Sequence, residues 1–123
     1  MQINSTVSLL FYSALLTAGQ GLFKLAALQT KSIEAGPIAY AIALLTTPIF
    51  LAACLLYALS TIFWVALLSR FPLSQAYPLV IAISILLTTS LGVMIFKEQL
   101  TLDKACGLLL IGIGVKILSR SLA

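Results

Sequence analysis

From Ala35 to Ser69 the chain carries no charged side chain, and that one stretch decides most of what it can fold into. A soluble domain needs a charged, mixed surface to stay dispersed, and here long segments offer none. Among the 123 residues, 62% are hydrophobic, seven side chains are basic, three are acidic, and there is no histidine. The mean hydropathy of +1.19 lies far outside the soluble range. Most of the surface must face something as apolar as lipid tails, so the chain reads as an integral membrane protein.

Charges and turn residues divide it into four apolar stretches, at 5–29, 37–69, 71–96 and 104–122. Each is near or above the ~20 residues a helix needs to cross ~30 Å of hydrocarbon. The expected fold is an all-α bundle of four transmembrane helices in a single domain over 1–123. The connections are short: TKSIEAGP at 30–37, a tight turn at Arg70 and Pro72, and a polar corner KEQLTLDK at 97–104, where Thr101 or Asp103 is placed to cap the last helix. Pro48 sits inside the second stretch, where it would kink a helix, either as a hinge or simply to fit its neighbours. The amino-terminal segment lacks the basic region of a signal peptide and is expected to stay as a span.

The seven Lys and Arg residues are scattered singly, with no basic run and no interleaved aromatics, which excludes the nucleic-acid reading of the net charge of +4. Arg70, Lys116 and Arg120 fall on one side of a four-span chain. Lys31, Lys97 and Lys104 fall on the other, with Lys24 near that boundary. Loop charge therefore gives almost no bias in orientation, which permits an antiparallel pair of copies. Cys54 and Cys106 lie in apolar runs without ligand spacing, so neither a disulfide, a metal nor a cofactor is expected.

Polar groups at membrane depth need a partner, a cavity or a route to the interface. In LTAGQGLFK, Gln20 and Lys24 are i and i+4 on one side of the first helix, and Gly19 and Gly21 leave space beside them. Two readings fit that spacing: a polar notch, or a lysine that snorkels to the headgroups while Gln20 bonds a neighbouring helix. Tyr77, Ser84 and Thr88 project from nearly one face of the third helix, and Tyr57, Thr61 and Trp64, with Ser60 beside them, form a parallel set on the second. These faces either line a shared cleft or bond back to their own helices and anchor at the interface. Glu34, Glu98 and Asp103 lie in loops or at boundaries, so no carboxylate is central to a span and proton-coupled cation export is disfavoured. A buried ammonium with amide and phenol donors suits phosphate or carboxylate. Gly107 and Gly114 share a face of the last helix with room for close association, within this chain or with another. No nucleophile-base pair or phosphate loop suggests an enzyme.

Four short helices, AGQGLFK in the first, FPLSQAYPL opening the third and FKEQLTLDKACGLLLIGIGV leading into the fourth resemble the small multidrug resistance branch of the drug/metabolite transporter superfamily. Within it the chain is most similar to the paired small subunits that flip aminoarabinose-phosphoundecaprenol across the bacterial inner membrane. The resemblance implies roles for Gln20 and Lys24 of A-G-Q-x-x-x-K, Tyr77 and Pro78 of A-Y-P, and Glu98 of K-E-Q. Drug-exporting members carry a glutamate where Leu16 stands and a tryptophan where Val80 stands. The resemblance thus implies a multi-pass flippase for a polyprenyl-phosphate sugar, without a cofactor. It would work as a homodimer or with a related subunit, with Gln20, Lys24, Tyr77, Pro78 and Glu98 facing the substrate; Tyr57 and Ser84, from the polar faces of the second and third helices, complete the expected set. A small cation exporter and an accessory subunit without transport of its own remain the alternatives.

Overall fold

A computed structural model describes residues 2–120, and these described residues form five helices and no other regular element. They are α1 (Gln2–Gln29), α2 (Pro37–Leu45), α3 (Pro48–Leu68), α4 (Leu73–Met94) and α5 (Leu102–Arg120). At 1.5 Å per residue α1 is about 42 Å long and α3 and α4 are each about 32 Å, enough to cross hydrocarbon. These three helices are also apolar enough to do so.

One expectation about the elements needs correction, and another is met only in part. The stretch 37–69 is two helices, because Thr46 and Thr47 leave the helical ladder before Pro48 can enter it. Their hydroxyls donate back to the Ala43 carbonyl at 2.9 and 2.8 Å. Pro48 then opens α3 at its first position, where its missing N–H costs nothing. Pro48 thus starts a helix and does not interrupt one. The expectation met in part concerns the last span. α5 is about 28 Å long by its helical rise, but it carries Asp103, Lys104, Lys116 and Arg120 and is not among the helices apolar enough to cross. Its first turn matches the reading of Thr101 as a cap, whose Oγ1 accepts from the Lys104 N–H at 3.3 Å. Residues 121–122 of the expected span lie outside the described residues.

α1 is the centre of the bundle, packed against both α3 and α4, with α5 laid along α4. Leu9, Tyr12, Leu67, Ala76, Leu79 and Val80 make the buried cluster at one end, and Val115 and Leu118 of α5 pack against it. The start of α1, the end of α3, the start of α4 and the end of α5 therefore share one end of the bundle. The outer surface is aliphatic: Ile62 is 71% exposed and Leu110 70%. Ser13 and Ser60, by contrast, are buried, their hydroxyls donating to the Leu9 and Leu56 carbonyls at 2.8 and 2.7 Å. Aliphatic groups outside and self-satisfied hydroxyls inside are what packing in lipid favours, since hydrocarbon gives apolar side chains no reason to hide.

Candidate functional site

Helical spacing sets Gln20 and Lys24 on one side of α1, and the structure puts a partner opposite each. Gln20 Nε2 donates to the Tyr57 hydroxyl of α3 at 2.7 Å. Lys24 Nζ stands 3.5 Å from Glu98 Oε1. The first contact depends on Gly19: the edge of the Tyr57 ring lies where a Cβ at that position would be, so only glycine lets the phenol reach Gln20. Phe23 supports the ring from the next turn, at a centroid separation of 5.1 Å.

The second contact depends on the turn after α4. Lys97 adopts φ 54°, the left-handed region that a residue with a Cβ enters at a cost of about 1–2 kcal/mol. That reversal lets the Glu98 N–H donate to the Gly92 carbonyl at 3.0 Å. The Glu98 carboxylate then lies over Gly92, where a Cβ would come within 2.8 Å of Oε2. A residue assigned to a loop by sequence is folded back onto the helix it follows and aimed at Lys24.

Three cavities join these groups. The inner one, about 260 Å³, is lined by Leu16, Gln20, Tyr57, Ile81, Ser84 and Thr88, with Ile85. The middle one, about 180 Å³, adds Gly21, Lys24, Gly92 and Glu98 to Gln20 and Thr88. The outer one, about 300 Å³, runs from Thr88 and Glu98 to Lys104 and Gly107 on α5. Each shares residues with the next, so they form one groove from mid-helix to the polar corner, with Thr88 lining all three. The Ser84 hydroxyl oxygen is buried with no hydrogen-bond partner, a cost left standing at the inner cavity. The groove thus offers the ammonium groups of Lys24 and Lys104, the Glu98 carboxylate, the Gln20 amide, the Tyr57 phenol and the hydroxyls of Ser84, Thr88 and Thr89 between apolar walls.

Of the expected set, Gln20, Lys24, Tyr57, Ser84 and Glu98 are brought together. Tyr77 and Pro78 are not: they lie in the early turns of α4, toward its opposite end. Tyr77 is exposed, its ring 6.3 Å from that of Trp64. Trp64 in turn stacks on Tyr12 at 5.0 Å, and Thr61 donates to its own helix at the Tyr57 carbonyl, so neither joins the groove. Leu16 faces the inner cavity, so the place where drug exporters are expected to hold a glutamate is apolar wall. Thr88 and Lys104 were legible only as a stripe member and a boundary charge. What marks them is the way α4 and α5 meet, which spacing within either helix does not reveal.

Fold and groove together define a small helical membrane protein with a laterally placed polar cleft. Over 59 residues the chain is 37% identical to the probable 4-amino-4-deoxy-L-arabinose-phosphoundecaprenol flippase subunit ArnE of Hamiltonella defensa. That match takes in 48% of this chain and 52% of the relative, so the chain spans about half the length of the curated protein it matches. No protein-family profile matches the chain, and no solved structure does.

Proposed function

We propose that this chain is a non-enzymatic transporter subunit of the bacterial inner membrane that moves a lipid-linked anion, a polyprenyl-phosphate sugar, from one leaflet to the other. The observation that carries the reading is the row of adjoining cavities, sharing Gln20 and Thr88, that leads from Lys24 at the membrane boundary to Tyr57 deeper in the spans. Taking an unpaired headgroup charge through hydrocarbon costs several kcal/mol even after relaxation, and a polar groove that replaces water lowers that cost.

In this mechanism Glu98 is the resting counter-ion of Lys24. The pair is about half exposed, so its net worth is small, and an arriving phosphate exchanges with the carboxylate at little expense. The phosphate takes the ammonium and the Gln20 amide, sugar hydroxyls meet Tyr57, Ser84 and Thr88, and the polyprenyl tail stays in the bilayer. The 37% identity to a flippase subunit supports the same substrate class.

The cation-exporter alternative has the Glu98 carboxylate in its favour, but that carboxylate is already paired with Lys24 and Leu16 offers none deeper in. Pairing with a second copy or a related subunit is part of the proposal. Beyond α5's own nearby backbone, no described residue comes within 4 Å of a Cβ built at Gly107 or Gly114, so the face they share is open to another helix.

Native mass spectrometry of the protein extracted with its lipids tests the reading. Co-purified polyprenyl phosphate that disappears in Lys24→Ala is the expected result. Equal retention by both proteins contradicts it.

A further inference from the structure

The two ends of the bundle differ in charge in a way the loop count conceals. The three acidic side chains, Glu34, Glu98 and Asp103, all belong to the Lys24 end, where α1 and α4 finish and α5 begins. The opposite end holds Arg70, Lys116 and Arg120 and no acidic side chain. One end is mixed and the other is purely cationic.

At that cationic end lies a separate cavity of about 480 Å³, lined by Asn4, Ser5, Ser8, Leu67, Arg70 and Phe71. Its α1 side is polar, and facing it are the apolar Leu67 and Phe71 together with Arg70. Arg70 makes no side-chain hydrogen bond or ion pair with any described residue, whereas Lys24 at the other end is held by Glu98. The Ser8 hydroxyl donates only to the Asn4 carbonyl one turn back, at 2.8 Å, a local bond it can trade for a ligand oxygen. α4 opens two residues beyond Phe71, behind Pro72, and has no side-chain cap hydrogen bond, so its amino-terminal dipole adds positive potential here.

We infer that this cavity is a second anion site, for the phosphate group of a phosphomonoester or phosphodiester, at the membrane boundary opposite Lys24. A guanidinium pairs with two phosphate oxygens at once, and the Asn4 amide and the Ser8 hydroxyl line the same cavity for the others. The apolar wall of Leu67 and Phe71 takes the first methylenes of a lipid chain. If the chain moves a lipid-linked anion, the two sites are where a headgroup starts and ends its crossing. That link rests on the reading of the Lys24 groove, but binding at Arg70 does not.

The test titrates detergent-solubilised protein with dodecyl phosphate, following bound copies by native mass spectrometry. Lys24→Ala removes the groove site and leaves the Arg70 site to be read alone. Adding Arg70→Ala to that background weakens the remaining binding by about tenfold or more, the loss of a charge-assisted contact. Arg70→Lys restores part of it. Ser8→Leu, which fills the cavity while keeping the arginine, weakens binding as well, and circular dichroism confirms that each variant is folded. Competition by inorganic phosphate marks a site that accepts the free ion. Failure to compete while dodecyl phosphate still binds marks one that needs the lipid. Binding that survives both Arg70→Ala and Ser8→Leu in the Lys24→Ala background overturns the inference. If Lys24→Ala binds as the wild type does while Arg70→Ala loses binding, the Arg70 site stands and the groove reading fails.

Discussion

Lys24 and Glu98 face each other at 3.5 Å across the end of the groove, joined by a turn whose left-handed Lys97 exists to bring the carboxylate back. An ion pair this exposed stabilises a fold by roughly 0–1 kcal/mol, so its role is better sought in what can replace it. A ligand phosphate offers the ammonium the same charge with more oxygens. In the proposed mechanism the pair is a closed but unlocked gate on the groove.

Glu98→Gln removes the competitor and keeps the shape. The expected outcome is tighter binding of dodecyl phosphate, with a melting midpoint in detergent that moves little, because the pair contributes at most about 1 kcal/mol. Titration calorimetry and a thermal scan on the same preparation check both halves.

Tyr57→Phe leaves the Gln20 amide without its partner. A loss of about 0.5–1.5 kcal/mol in stability is expected, with weaker substrate binding. Tyr77→Phe, at the far end of α4, leaves groove binding unchanged. Running the two variants side by side in one binding assay separates the tyrosine that lines the groove from the one that sequence spacing singled out.

Gly19→Ala places a methyl where the Tyr57 ring lies and costs about 1–3 kcal/mol as overpacking. Gly107→Ala meets nothing within the chain and is neutral or up to about 1 kcal/mol stabilising in the isolated protein. The same Gly107→Ala change weakens self-association if α5 is the contact between subunits. Thermal unfolding reads the first two effects, and cross-linking yield reads the third.

Thr101→Ala removes the hydroxyl that caps α5 and is expected to cost about 1 kcal/mol. Amide hydrogen exchange should localise the loss to the first turn of α5, with α1 and α3 unaffected.

How much of this was legible in the sequence follows from which interactions are local. Charges and turns locate the helices at 2–29 and 73–94 to within a few residues, because hydrocarbon leaves backbone groups no partner but their own helix. The break before Pro48 was not legible as a break, since a proline in an apolar run is compatible with a kink and only the Thr46 and Thr47 bonds to Ala43 end α2. The last segment looked like a fourth span by length, yet Lys116 lies a full turn inside it. The i, i+4 pairing of Gln20 and Lys24 was visible from spacing alone. Their partners were not: choosing Tyr57 over Tyr77 depends on which helix lies against Gly19, and recruiting Glu98 depends on one left-handed residue in a loop.

The most direct test of the central claim is leaflet exchange of a fluorescent polyprenyl phosphate in liposomes reconstituted with the protein, read by quenching from outside. The account predicts exchange well above that of empty liposomes for the wild type, and exchange near the empty-liposome rate for Lys24→Ala. Wild-type and Lys24→Ala proteins that exchange the lipid at the same rate would contradict it.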